Sequence, residues 1–205
     1  TDYVVWDEKR GSNFSAVLNY KGERTIVVHH EPRDYSLPKL APARWLYYSS
    51  LAAGHDKLHE QIPEYVKQYG VKLGFNPGSH QLKEGLSVLS PIMQASTVFL
   101  VNKDEAQELL GNFDDIKKLL EGLKNKGPQI VVITDDGNGS YCFDGVNFYH
   151  LDIFRVPVVE MTGAGDAYST GFVCALALGL DVKEAMRWGA MNGASVIQKI
   201  GAREG

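Results

Sequence analysis

The hydrophobic pattern changes character near Trp45. Before it, Asn13 to Tyr20 and Arg24 to Val28 read as two strands around Lys21-Gly22-Glu23, a hairpin signal. A Pro-containing loop follows from Glu31 to Pro42, and the opening residues Thr1 to Trp6 read as part of another strand. Beyond Trp45, short apolar runs alternate with stretches of helical period. Strands are predicted at 45–48, 71–75, 97–101 and 129–134, with helices at 55–68, 82–89, 103–110 and 113–124. In the first of these helices Leu58, Ile62 and Val66 share one stripe. Two shorter strands, 140–143 and 147–150, meet across Asp144-Gly145, and helices at 165–178 and 182–200 close the chain.

Repeated strand–helix–strand units imply an α/β fold, a mainly parallel sheet flanked by helices. Residues 45–205 form that body, and residues 1–44 a small β appendage with its connecting loop. Ligands of such sheets bind beyond the carboxyl ends of the strands. The residues that follow each strand are therefore the place to look for chemistry.

Composition narrows the field. With 44% hydrophobic and 22% charged residues, a chain of 205 has the make-up and length of one globular core. Its net charge of -4 and scattered Lys and Arg give no reason to expect nucleic acid or an anionic membrane as partner. No apolar run approaches the roughly 18 residues of a membrane span. Cys142 and Cys174, the only cysteines, lack metal-ligand spacing, so a reducing, cytoplasmic setting is expected.

The stretch from Val158 to Phe172 is the richest in chemistry. Gly163, Ala164 and Gly165 stand where an apolar helix begins. Small side chains let the backbone approach a ligand, and the first helical N–H groups have no partner within the helix. Those donors and the helix dipole favour an anion such as phosphate. Asp166 then sets a carboxylate beside the anion, suited to take a proton from an attacking hydroxyl. The same residues also fit a plain helix start, with Asp complementing the dipole, and spacing alone does not choose. A dinucleotide fingerprint from Gly163 would need glycine where Tyr168 stands, and there is no P-loop.

Thr162-Gly163-Ala164-Gly165-Asp166-Ala167, followed by an aromatic and then Gly171-Phe172, resembles the C-terminal signature of the pfkB/ribokinase family of carbohydrate kinases. Asn102-Lys103-Asp104-Glu105 is similar to the family's Asn-x-x-Glu motif. Ile133 to Ser140 is similar to its strand and Gly-containing loop along the nucleotide, and Asn192-Gly193-Ala194-Ser195 lies in the helix that flanks the purine in relatives. Order and spacing match from Trp45 onward.

The resemblance implies a ribokinase-like fold, with residues 1–44 as the remnant of a β lid. It implies ATP and Mg2+ as cofactors and a small-molecule sugar or polyol as acceptor. Asp166 would be the catalytic base, and the N–H groups of Gly163, Ala164 and Gly165 would stabilise the transferring phosphoryl group. Thr134, Gly137, Gly139, Thr162 and Asn192 would line the nucleotide, and Asn102 and Glu105 would hold Mg2+, largely through water. The Asn102–Glu105 spacing is equally that of a helix N-cap and its capping-box partner. Relatives often carry Asp-Thr-Thr before Gly-Ala-Gly-Asp, whereas Glu160 and Met161 stand here, so a monovalent cation is left open. Family members begin with a strand and a Gly-Gly segment that grips the sugar. Neither occurs upstream of Trp45, so a fragment of a longer kinase is expected.

Two other outcomes stay open: a nucleoside or vitamin-alcohol kinase of the same family, and a non-catalytic nucleotide-binding module. Apolar residues on both faces of the early hairpin suggest a homodimer through the lid. His55 and His59 share a helix face at metal-ligand spacing, but with no third ligand evident a packing or solvated role is expected. Asn76-Pro77-Gly78 fits a tight turn or a substrate-proximal loop equally.

Overall fold

The computed structural model of the chain describes residues 3, 4, 6–20 and 23–202. Two antiparallel strands come first, β1 (Phe14–Tyr20) and β2 (Glu23–His29), in register from Phe14 opposite His29 to Tyr20 opposite Glu23. The turn residues Lys21 and Gly22 of the predicted hairpin lie outside the described residues. The strand expected at the start does not form at Tyr3, Val4 or Trp6.

After the loop through Pro42 the body begins. Its six strands are β3 (Trp45–Tyr48), β4 (Lys72–Phe75), β5 (Val98–Asn102), β6 (Ile130–Thr134), β7 (Ser140–Phe143) and β8 (Phe148–Leu151). They lie side by side in chain order, the first four parallel and the last two antiparallel. The alternation of side chains explains the layers. Phe99 and Val101 of β5, with Val131 and Ile133 of β6, pack into one core, while Val98, Leu100 and Val132 pack into the other. Strands buried on both faces need helices on both.

On the first face lie α1 (Asp56–Tyr69), α2 (Ser79–Lys83), α3 (Leu86–Ala95), α4 (Lys103–Leu110) and α5 (Ile116–Lys124). On the second lie α6 (Ala164–Ala177) and α7 (Val182–Val196). α6 seats closely on β4: a Cβ at Gly74 would fall 2.8 Å from Val173 Cγ2. Among the described residues no helix is long and apolar enough to cross a membrane.

One helix departs from expectation. The helix predicted at 82–89 is broken after α2, because Gly85 takes φ 79°, which side chains with a Cβ resist. α3 then runs through Pro91 to Ala95. Proline removes one helical hydrogen bond. Burial of Leu89, Ile92 and Met93 on the sheet outweighs that loss.

Candidate active site

β5 and β6 end together, Asn102 opposite Thr134, at the edge of the sheet where α6 begins. A cavity of about 280 Å3 opens there, lined by Asn102, Thr134, Gly139, Ala164 and Gly165, and by Gly193 and Ala194 of α7. Sequence reasoning named the first five, and the fold brings them to one wall. Gly137, Thr162, Gly163 and Asn192 stand outside the lining, as do Glu105 and Asp166.

Each of these has an evident local role. Gly163 caps α6 with φ 84° and leaves no room for a side chain, since a Cβ would lie 2.7 Å from Ala202 Cβ. Ala167 N–H makes the first helical bond to Gly163 O at 2.8 Å. Ala164 N–H is already occupied, donating to Met161 O at 3.3 Å. The N–H groups of Gly165 and Asp166 have no protein acceptor among the described residues. The backbone donors left open at this helix start are therefore these two, with Ala164 held only by a long bond.

Glu160 braces the loop: it accepts from Thr162 Oγ1 at 2.6 Å and from Gly201 N–H at 2.9 Å. Asn192 turns away from the cavity and donates through Nδ2 to Ala167 O at 2.7 Å, tying α7 to α6. Gly137 sits in the exposed 3-10 turn Asp136–Asn138, held to the start of α4 by the ion pair of Asp135 with Lys103 at 3.1 Å.

Asn102 and Glu105 form the capping box: each backbone N–H donates to the other's side chain, at 2.8 Å. The bonds use Asn102 Oδ1 and Glu105 Oε2, leaving Glu105 Oε1 without a partner among the described residues. Burial raises the Glu105 pKa, partly offset by the Asn102 N–H, and the charges of Glu108, Asp166 and Asp104 raise it further. Asp166 is exposed, and its charge also acts on Tyr47, whose pKa is raised first by burial. The base candidate in the first turn of α6 is thus near enough to β3 and to the start of α4 for its charge to act on both. Asn76 straps the strand ends, donating to Leu100 O at 2.9 Å and accepting from the Tyr47 hydroxyl at 3.4 Å.

Sequence reasoning missed Ser140 and Tyr168. Both line the cavity, and their buried hydroxyls are neighbours, without a hydrogen bond of ordinary geometry among the described residues. Ser140 ends the Ile133–Ser140 segment and Tyr168 is the aromatic after Ala167, but neither was singled out as a site residue.

The family model for pfkB carbohydrate kinases matches residues 1–205. The chain belongs to the pfkB family. This pfkB-family chain is 29% identical over 213 residues to an uncharacterized sugar kinase of Archaeoglobus fulgidus, covering 100% of this chain and 84% of that protein. It is 40% identical over 217 residues to the 5-dehydro-2-deoxygluconokinase of Bacillus anthracis, covering 96% and 63%. The structure of Arabidopsis thaliana ribokinase complexed with ribose and ATP superposes with a TM-score of 0.76 at 20% identity, covering 93% and 64%. The fold is ribokinase-like. The pfkB-family chain spans less than two thirds of the last two proteins.

Proposed function

We propose that this protein phosphorylates a hydroxyl of a sugar or similar polyol with ATP, Asp166 acting as the base. The observation that carries this reading is the start of α6, where an exposed carboxylate stands beside two unengaged backbone donors. The cavity next to them suits a nucleotide. Its wall combines small residues with two buried hydroxyls, Ser140 and Tyr168, and the Arabidopsis ribokinase that shares the fold is a complex with ribose and ATP.

Asp166 takes the proton of the acceptor hydroxyl as that oxygen attacks the γ-phosphorus in line. The N–H groups of Gly165 and Asp166, with the dipole of α6, stabilise the charge on the transferring group. Glu105 and Asn102 would hold Mg2+ through its waters, since Glu105 Oε1 is unengaged and its carboxylate is crowded by Asp166. That ion would neutralise charge on the phosphates. The exposed apolar residues of the β1–β2 ribbon, Phe14, Leu18 and Val27 among them, support its use as a cover for the acceptor or as a dimer contact.

The test is Asp166→Asn in the full-length protein, measured by ADP release over a sugar panel. Turnover is expected to fall by about a hundredfold or more, with ATP affinity retained. Near-normal turnover would remove Asp166 from the mechanism.

A further inference from the structure

We propose that His55, His59 and Glu84 bind one divalent transition-metal ion, zinc by ligand type, where the start of α1 meets the turn between α2 and α3. The site shares no residue with the cavity at α6.

His55 caps α1 and His59 lies one helical turn on, so both imidazoles leave the same face. Their rings are 4.5 Å apart between centroids. One ligand atom from each histidine and one carboxylate oxygen of Glu84 lie within 4.8 Å of one another. His55 Nε2 and Glu84 Oε2 are the nearest pair, at 2.9 Å. Zinc bonds of about 2.0–2.1 Å at the tetrahedral angle would set ligand atoms about 3.3–3.4 Å apart, inside this range. The ligands therefore need to move only by tenths of an ångström to a little over one.

The surroundings point to an ion as well. His55 is fully buried, and its Nδ1 lies 2.7 Å from Ala52 O. A backbone carbonyl at one ring nitrogen fixes the tautomer and turns the lone pair of the other outward, as in histidines that bind metals. Here that lone pair faces a carboxylate oxygen, so a proton or a cation must lie between them. His59 is 6% exposed; among the described residues its Nδ1 has no partner, and its Nε2 has only Gln81 Nε2 at 3.5 Å. The Tyr48 hydroxyl, on a ring set edge-on to His59, is also buried, with Gln81 as a polar neighbour but no hydrogen bond of ordinary geometry among the described residues. Orphaned polar atoms are rare in folded proteins and call for a ligand. An ion held by His55, His59 and Glu84, with water in its open position, would supply partners for these atoms. Glu84, only part-buried, provides the route in.

Such an ion would pin the loop after β3 to the α2–α3 turn, a structural role. The test uses the chelator-stripped 205-residue chain titrated with Co2+ and then Zn2+. One Co2+ per chain is expected, with the visible absorption of four-coordinate cobalt and displacement by Zn2+. Zn2+ should raise the melting temperature by several degrees. Glu84→Gln and His59→Gln should each weaken Co2+ affinity by about tenfold or more. Glu84→Gln is nearly isosteric and part-buried, so its metal-free melting curve should stay close to that of the parent chain. Absence of stoichiometric binding would overturn the proposal, because a shared proton would then account for the His55–Glu84 contact. Binding unchanged in both variants would overturn it equally.

Discussion

The backbone N–H of Asn102 donates to Glu105 Oε2, and the backbone N–H of Glu105 donates to Asn102 Oδ1, both at 2.8 Å. One pair of residues thus closes the start of α4 and still leaves Glu105 Oε1 without a partner among the described residues. For Glu105, the cap and the proposed Mg2+ role would use different oxygens of one carboxylate.

Two substitutions separate the roles. Asn102→Ala removes the cap and should cost about 1 kcal/mol in urea unfolding. Glu105→Gln keeps an acceptor for the Asn102 N–H, so stability should stay within about 0.5 kcal/mol of the parent chain. Loss of its charge should nevertheless weaken Mg2+-dependent ATP binding by about tenfold, read from ATP titrations at several Mg2+ concentrations. Equal Mg2+ dependence in Glu105→Gln and the parent would reduce Glu105 to a capping residue.

Tyr168 yields a second prediction. Its hydroxyl is buried against the cavity with the Ser140 hydroxyl as a polar neighbour but no hydrogen bond of ordinary geometry, so Tyr168→Phe gives up at most one weak internal contact. Unfolding stability should be unchanged or slightly higher. If the nucleotide accepts or donates at that oxygen, ATP affinity should fall by about fivefold to tenfold, the worth of one hydrogen bond at a desolvated site. Calorimetric titration with ATP decides it, and unchanged affinity would leave the hydroxyl to water.

Much of this architecture is legible in the sequence, for a physical reason. Strands such as β5 and β6 bury both faces, so their apolar runs are continuous, and the helices between them keep a one-sided period. The break at Gly85 and the passage of α3 through Pro91 were not legible. Local propensity argues against that helix, and only packing against the sheet sustains it. Glu84 escaped notice as the partner of His55 because 29 residues separate them. Nothing in local spacing announces a contact made by the meeting of two helices. Asn192 illustrates a rotational error: each helical residue turns about 100°, so Gly193 and Ala194 reach the cavity while Asn192 faces α6. The Asn102–Glu105 spacing supported two meanings, and the geometry accommodates both.

The turn that joins β7 to β8 supplies a pH-dependent prediction. Asp144 Oδ1 accepts from the N–H groups of Val146 at 2.8 Å and Asn147 at 2.7 Å, while Oδ2 accepts from the Tyr149 hydroxyl at 2.7 Å. Burial alone would raise its pKa, but these bonds to the ionised form together hold it below the usual carboxylate range. A folded-state value below the unfolded one means that the stabilisation is present above about pH 4. It is lost as pH falls through the folded value. Asp144→Ala should therefore destabilise the protein by about 1–3 kcal/mol at pH 7, since it removes all three bonds. The gap between parent and variant should narrow as the pH drops below about 4, where the parent also loses the charge. Urea unfolding of both proteins at pH 7 and pH 3 measures it. A gap that does not change with pH would mean that the ionised carboxylate adds nothing to the hairpin. Because β8 leads directly into Leu151 and Asp152 of the cavity wall, the same variant should also loosen ATP binding at pH 7.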